Sequence, residues 1–103
     1  MKHLLAIFLI GVSCFLFGCE QYEATKHNNL GFAYFNQGKL DEAVAEYKKT
    51  IEIKPNFAEA HYNLGNAYRK RGKLDLAIES FKTAIAINPN LDSPELRQLI
   101  NSQ

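Results

Sequence analysis

Two histidines, His27 and His61, recur in similar sequence surroundings, and two cysteines, Cys14 and Cys19, lie close together near the start of the chain. These four side chains are the first candidates for metal, proton or thiol chemistry. A pair of imidazoles can hold a metal or sense pH. No third ligand recurs at a matching position, so the two histidines read as packing residues. The Asp and Glu residues are spread over helix starts and surfaces, with no convergent pair. The sequence holds no phosphate-cradling glycine loop, no Cys/His metal spacing and no nucleophile motif. The expectation is a protein that is not an enzyme, with no metal and no cofactor.

Chemistry of another kind is written around Cys19. Met1-Lys2-His3 is a short basic start, and Leu4 to Gly18 is a run without charge. A membrane-crossing helix needs about 20 apolar residues. This run is shorter and has the length of an export signal instead. Charge returns at Gly18-Cys19-Glu20. Leu16-Phe17-Gly18-Cys19 resembles the lipobox of bacterial lipoproteins, with Phe17 larger than is usual at its position. The resemblance implies a signal peptide over residues 1–18 and a Cys19 that carries lipid and becomes the mature N-terminus. Cys14 would leave with the signal, so no intramolecular disulfide is expected. Residues 19–23 would form the lipidated cysteine and a short linker. The stretch Glu20 to Glu23 extends at most about 14 Å, which holds the rest of the chain against a membrane. By the same resemblance the location is the bacterial cell envelope, lipid-anchored and facing the periplasm. Glu20 is not the Asp associated with inner-membrane retention, and the outer membrane is preferred.

Beyond Gly18 the chain keeps all 11 of its acidic side chains and loses only Lys2 from its 12 basic ones, so the charges cancel. A neutral balance excludes the basic footprint that a nucleic-acid binder needs. Ala24–Phe57 aligns with Ala58–Leu91 without a gap, and half of the aligned positions are identical. A period of this length signals stacked helical units. Leu30, Ala33, Tyr34 and Leu64, Ala67, Tyr68 recur at i, i+3, i+4 spacing and read as the buried face of a first helix. Gly31 and Gly65 lie inside these helices, where close approach of a neighbouring helix is expected. Gly38 and Gly72 end them. Asp41 and Asp75 start the second helix as caps or first-turn acids. The second helix buries Ala43, Val44, Tyr47, Ile51 and Ala77, Ile78, Phe81, Ile85, and Pro55 and Pro89 stop it. Asn56 stands in a capping position for the next helix. Ser93 and Pro94 open a last helix whose stripe is Leu96, Leu99 and Ile100.

The pattern resembles the tetratricopeptide repeat (TPR). Its signature positions are met by Leu30, Gly31, Tyr34, Ala43, Tyr47 and Pro55, and again by Leu64, Gly65, Tyr68, Ala77, Phe81, Ala84 and Pro89. His27 and His61 depart from the usual aromatic, and Thr50 from the usual Ala, where looser packing is expected. The resemblance implies an all-α solenoid: two TPR helix-turn-helix repeats, 24–57 and 58–91, and a C-terminal capping helix over 92–103, preceded by an N-terminal signal helix. It also implies a concave binding surface on the first helix of each repeat, at Thr25, Asn28, Phe32, Phe35, Asn36 and at Glu59, Tyr62, Asn66, Arg69, Lys70. The peptide-binding residues taken from that surface are Asn28, Phe32, Phe35, Asn36, Tyr62, Asn66, Arg69 and Lys70. The two-carboxylate clamp that some TPR domains use for heat-shock chaperones is incomplete: Asn63 and Asn66 fit it, but Asn28 and Phe32 replace its Lys and Asn. Arg69–Lys73 reads as a solvated basic helix end.

The function this implies is a membrane-anchored adaptor that binds a protein or peptide partner in the envelope. The alternative is an assembly factor dedicated to one envelope complex, a pilus or secretion apparatus. Two repeats are fewer than the three usually needed for independent stability, so a homo-oligomer or stabilisation by the partner is expected.

Overall fold

The computed structural model describes residues 2–102, and side chains from Gly18 to Ser102. The expected signal segment, residues 1–18, lies outside the described side chains except for its last residue.

The chain is all helical. α1 runs Lys2–Asn36, α2 Leu40–Ile53, α3 Ala58–Lys70 and α4 Leu74–Ile87; a 3₁₀ turn, Pro89–Leu91, leads to α5, Pro94–Asn101. α1 packs on α2 and α3 on α4 as two hairpins, and the α2–α3 contact stacks one hairpin on the other. α5 covers α4, as the sequence predicts for a capping helix.

Local chemistry explains the boundaries. Gly38 and Gly72 have φ of 78° and 81°, a conformation that glycine reaches without a Cβ clash. At the first turn Lys39 N–H bonds Tyr34 O at 2.9 Å and Gly38 N–H bonds Phe35 O at 3.0 Å; Lys73–Tyr68 and Gly72–Arg69 repeat both distances. This is a Schellman stop, and it satisfies carbonyls that the helix end would otherwise leave open. Pro55 and Pro89 force the residues before them out of the helical region. Lys54 and Asn88 accordingly sit at the C-caps of α2 and α4 with non-helical backbone, φ of −137° and −131°. Ser93 Oγ accepts from Leu96 N–H at 3.2 Å and caps α5 ahead of Pro94.

The structure settles several local readings. Asn56 does not cap α3; the cap residue is Phe57, with no side-chain bond. Of the two roles the sequence leaves open for Asp41 and Asp75, the structure shows the first-turn acid, where a negative charge favours the helix dipole. Residues 19–23, read from the sequence as a lipidated cysteine and a short linker, are helical and part of α1. No Gly or Pro interrupts Glu20–Glu23, so nothing stops the helix there, and at about 1.5 Å per residue the stretch spans about 6 Å. Thr50 does not loosen the packing: it is fully buried, and its Oγ1 lies 3.2 Å from Ala24 O and 3.1 Å from Glu46 O. A buried hydroxyl with carbonyl acceptors is satisfied, and here it joins α2 to α1.

A further difference concerns the first repeat's face. Leu64 and Ala67 are 6% and 0% exposed, but Leu30 is 38% exposed and Ala33 is exposed as well. The cause is position in the stack. α2 covers α3, whereas among the described residues only α2 and α3 pack on α1, and its outer side stays open. The core itself, Ala43, Val44, Tyr47, Leu64, Ala67, Tyr68, Ala77, Phe81 and Leu96, runs from α2 through α3 and α4 to α5, and Tyr34 and Phe35 of α1 pack against it half-buried.

Candidate groove between α1 and α3

The first helices of the two repeats lie side by side, so side chains on one edge of α1 and of α3 face a common hollow. Phe35 from α1 and Tyr62, Asn66, Arg69 and Lys70 from α3 line a space of about 540 Å³. A smaller recess of about 30 Å³ adjoins it, between Phe32, Phe35, Tyr47, Asn63 and Asn66. The recess has room for a water and not for a side chain. The larger hollow has the volume of a site that takes a side chain or short peptide segment.

The polar and aromatic groups have a definite order. Lys70 Nζ sits 4.9 Å from the Phe35 ring centre, and Arg69 Cζ sits 6.0 Å from that of Phe81. Both contacts fall within cation–π range. Tyr62 meets Phe81 edge to face, with centroids 5.6 Å apart at 60°, a favoured aromatic geometry. Tyr62 is thereby fixed by a fully buried ring of the second helix. No carboxylate is among the residues lining the larger hollow, and two cations are.

The expected binding residues separate into two groups. Phe35, Tyr62, Asn66, Arg69 and Lys70 converge on the hollow, and Phe32, 52% exposed, adds the recess wall. Asn28 and Asn36 do not join them. Asn28 is buried, and its Oδ1 accepts from Asn63 Nδ2 at 3.2 Å, a bond that joins α1 to α3. Asn36 is exposed at the end of α1. Sequence reasoning does not place Tyr47 beside the hollow, whereas Asn63, read from the sequence as clamp-like, does line the recess. The repeat period assigns Tyr47 to the core, where it belongs except for the edge that floors the recess. Burial and the charge of Glu59 raise the pKa of the Tyr47 hydroxyl to about 12.

The two histidines do not act as a pair. His27 Nδ1–H donates to Glu46 Oε2 at 2.6 Å across the α1–α2 contact, and Lys49 Nζ lies 3.3 Å from Glu46 Oε1. Burial raises the Glu46 pKa, but the bonds from His27 and Lys49 outweigh it and leave the carboxyl below its ordinary range. Hydrogen bonds donated to a carboxylate favour its charged form. His61 Nε2–H instead donates to Pro55 O at 2.8 Å. The difference follows from sequence: Ser80 stands in the second repeat where Glu46 stands in the first. Among the described residues no group of three His, Cys, Asp or Glu side chains could hold a metal. Arg71 pairs with Asp41 at 2.9 Å, so part of the basic helix end is tied to the neighbouring repeat. Cys19 is free and exposed.

Residues 31–70 match the family described as TPR repeat, and residues 58–91 match the one described as Tetratricopeptide repeat. Among solved structures, the chain is similar to the first TPR of Spaghetti (RPAP3) bound to the HSP90 peptide SRMEEVD. The identity is 26% and the TM-score 0.68, over 79% of this chain and 64% of that one. It is also similar to MamA, at 37% identity and a TM-score of 0.62, over 65% of this chain and 39% of that one. The chain thus spans less than two thirds of either structure's length. No curated protein matches it.

Proposed function

Because this chain belongs to the tetratricopeptide repeat family, a protein-interaction module, we propose that the groove between α1 and α3 binds a peptide segment of a partner protein. The partner segment carries an acidic residue beside an aliphatic or aromatic one. The observation that carries this reading is the lining of the hollow: Arg69 and Lys70 beside Phe35, Tyr62 and Asn66. Two cations and no carboxylate line the larger hollow itself, which favours an anion there, while the charge of Glu59 acts on Tyr47 at the floor of the adjoining recess; exposed aromatic faces give an apolar side chain a surface to cover. The similar TPR of Spaghetti was solved with a peptide containing two Glu and an Asp, which is compatible with this chemistry. The ligand need not end in a free carboxylate, because Asn28 is buried and Phe32 occupies a clamp position.

The module acts in a bacterial envelope, held by lipid on Cys19. The support is the sequence Leu16-Phe17-Gly18-Cys19 and the exposure of that thiol. Helical residues 20–23 join the anchor to the first repeat over about 6 Å, so the partner is an envelope protein, with the outer membrane preferred.

Selection from a displayed random-peptide library tests the groove. The expected result is enrichment of Asp or Glu next to Leu, Met or Phe, with binding lost in a Phe35→Ala, Lys70→Ala double variant. Enrichment of basic peptides, or binding that survives the double variant, rejects the reading. Labelling with palmitate tests the anchor separately; label retained in Cys19→Ser rejects it.

A further inference from the structure

The open face of α1 and the face of α4 that α5 covers carry the residue types that meet in the α2–α3 contact. Leu30, Ala33 and Tyr34 of α1 are identical to Leu64, Ala67 and Tyr68 of α3. In α3 that face is buried, in one cluster with Val44 and Tyr47 of α2. α4 presents the same kind of surface as α2, with Ile78, Phe81 and Ile85 for Val44, Tyr47 and Ile51. What covers α4 here is α5, a helix of 8 residues where α3 has 13. α5 buries only Leu96, while Leu99 and Ile100 stay half-buried.

We propose that a second copy of this chain docks by its α1 face, around Leu30 and Ala33, onto α4 in place of α5. The contact repeats between molecules the α2–α3 contact that already exists within one. The polar edge is compatible. Where Arg71 meets Asp41 inside the chain, Gln37 of one copy meets Asp75 of the next, a neutral donor on a carboxylate. The occupant is a second copy and not an unrelated helix, because Leu30, Ala33 and Tyr34 are the residues whose counterparts in α3 already pack on the α2 surface. The arrangement is head to tail. It leaves a free α1 face at one end and a free α4 face at the other, so it extends instead of closing at a dimer. α5 then acts as a detachable cover that limits extension.

The test uses the full chain in detergent, as a mixture of isotopically heavy and light copies, with an Ala33→p-benzoylphenylalanine substitution for photocrosslinking. The expected products join heavy to light copies and map to Leu74–Ile87. Leu30→Asp, an exposed site whose change leaves the fold intact, lowers their yield at least about tenfold, the loss that removing one buried leucine from an interface produces. Leu96→Ala raises the yield by loosening α5. Crosslinks confined to one copy, or landing on α1 of the other, overturn the proposal. So does a yield unaffected by Leu30→Asp, which would place association in the apolar segment before Cys19. An unchanged yield in a helical Leu96→Ala variant overturns the exchange of α5.

Discussion

A Cβ placed on Gly65 would lie 2.7 Å from Cε1 of Phe81, and one on Gly31 would lie 2.7 Å from Cε1 of Tyr47. In each repeat an aromatic ring from the second helix rests against the backbone of the first. Both rings are buried, at 0% and 1% exposure, so neither can swing aside into solvent. The glycine at this position is therefore a packing requirement of the hairpin.

Gly65→Ala is expected to destabilise the protein. Alanine gains about 1 kcal/mol of helix propensity over glycine, but forcing a methyl group into a filled core costs about 1–3 kcal/mol. The displaced Phe81 also supports Tyr62, so peptide binding falls along with stability. Urea unfolding monitored by circular dichroism checks the first effect. Gly18→Ala is the control, since nothing lies within 4 Å of its Cβ position, and it leaves stability unchanged or slightly raised.

Much of this arrangement is legible in the sequence, and the parts that are not share a physical reason. Apolar spacing, the two stop glycines and the two prolines are local signals, and the hairpins follow from them. The equivalent glycines announce a close approach, although only coordinates identify the ring that makes it. The burial of Asn28, the exposure of Leu30 and the satisfaction of Thr50 depend on what stands across a helix contact. A repeat period treats positions as equivalent, whereas the first repeat has an open outer side that the second lacks. The pairing of His27 with Glu46 is invisible in the sequence for the same reason: the partners are 19 residues apart on different helices.

Acid sensitivity is expected to centre on that pairing. A carboxyl with a depressed folded pKa contributes stability above its unfolded value and loses that contribution as pH falls through the folded one. For Glu46 the window lies below the ordinary value of 4.5. Glu46→Gln is therefore less stable than the parent at pH 6, and the gap closes as the pH falls through that window. Thermal unfolding of both proteins from pH 7 to pH 3 reads the difference; a gap independent of pH contradicts it.

The alkaline limb has a different source. The Tyr47 pKa is raised to about 12 by burial and then by Glu59, from an ordinary value of 10.0. Its neutral form is favoured by the fold, so the associated stability is intact below pH 10 and is lost as pH rises toward 12. A shift of that size corresponds to about 2–3 kcal/mol. Tyr47→Phe is expected to remove this loss while changing stability little at pH 7. Absorbance titration of the tyrosines, run beside unfolding at pH 8 and pH 11, tests both statements.

Groove binding should carry an electrostatic signature that separates its two components. Lys70 lies over Phe35 in the groove, so an acidic ligand must draw the ammonium from a ring face to a carboxylate. That exchange favours binding because a charge-assisted bond is stronger than an exposed cation–π contact. Lys70 and Arg69 are solvent-exposed, and their attraction is screened by salt over about 10 Å at 0.1 M. Affinity for an acidic-apolar peptide is expected to fall about three- to tenfold between about 50 mM and about 500 mM salt. Lys70→Ala should weaken binding by a similar factor and flatten the salt dependence. Phe35→Ala should weaken binding as much or more and leave the salt dependence in place, since it removes covered apolar surface and not charge. Fluorescence anisotropy across the salt series distinguishes these slopes, and a Phe35→Ala variant whose salt dependence vanishes would show that the ring only positions Lys70.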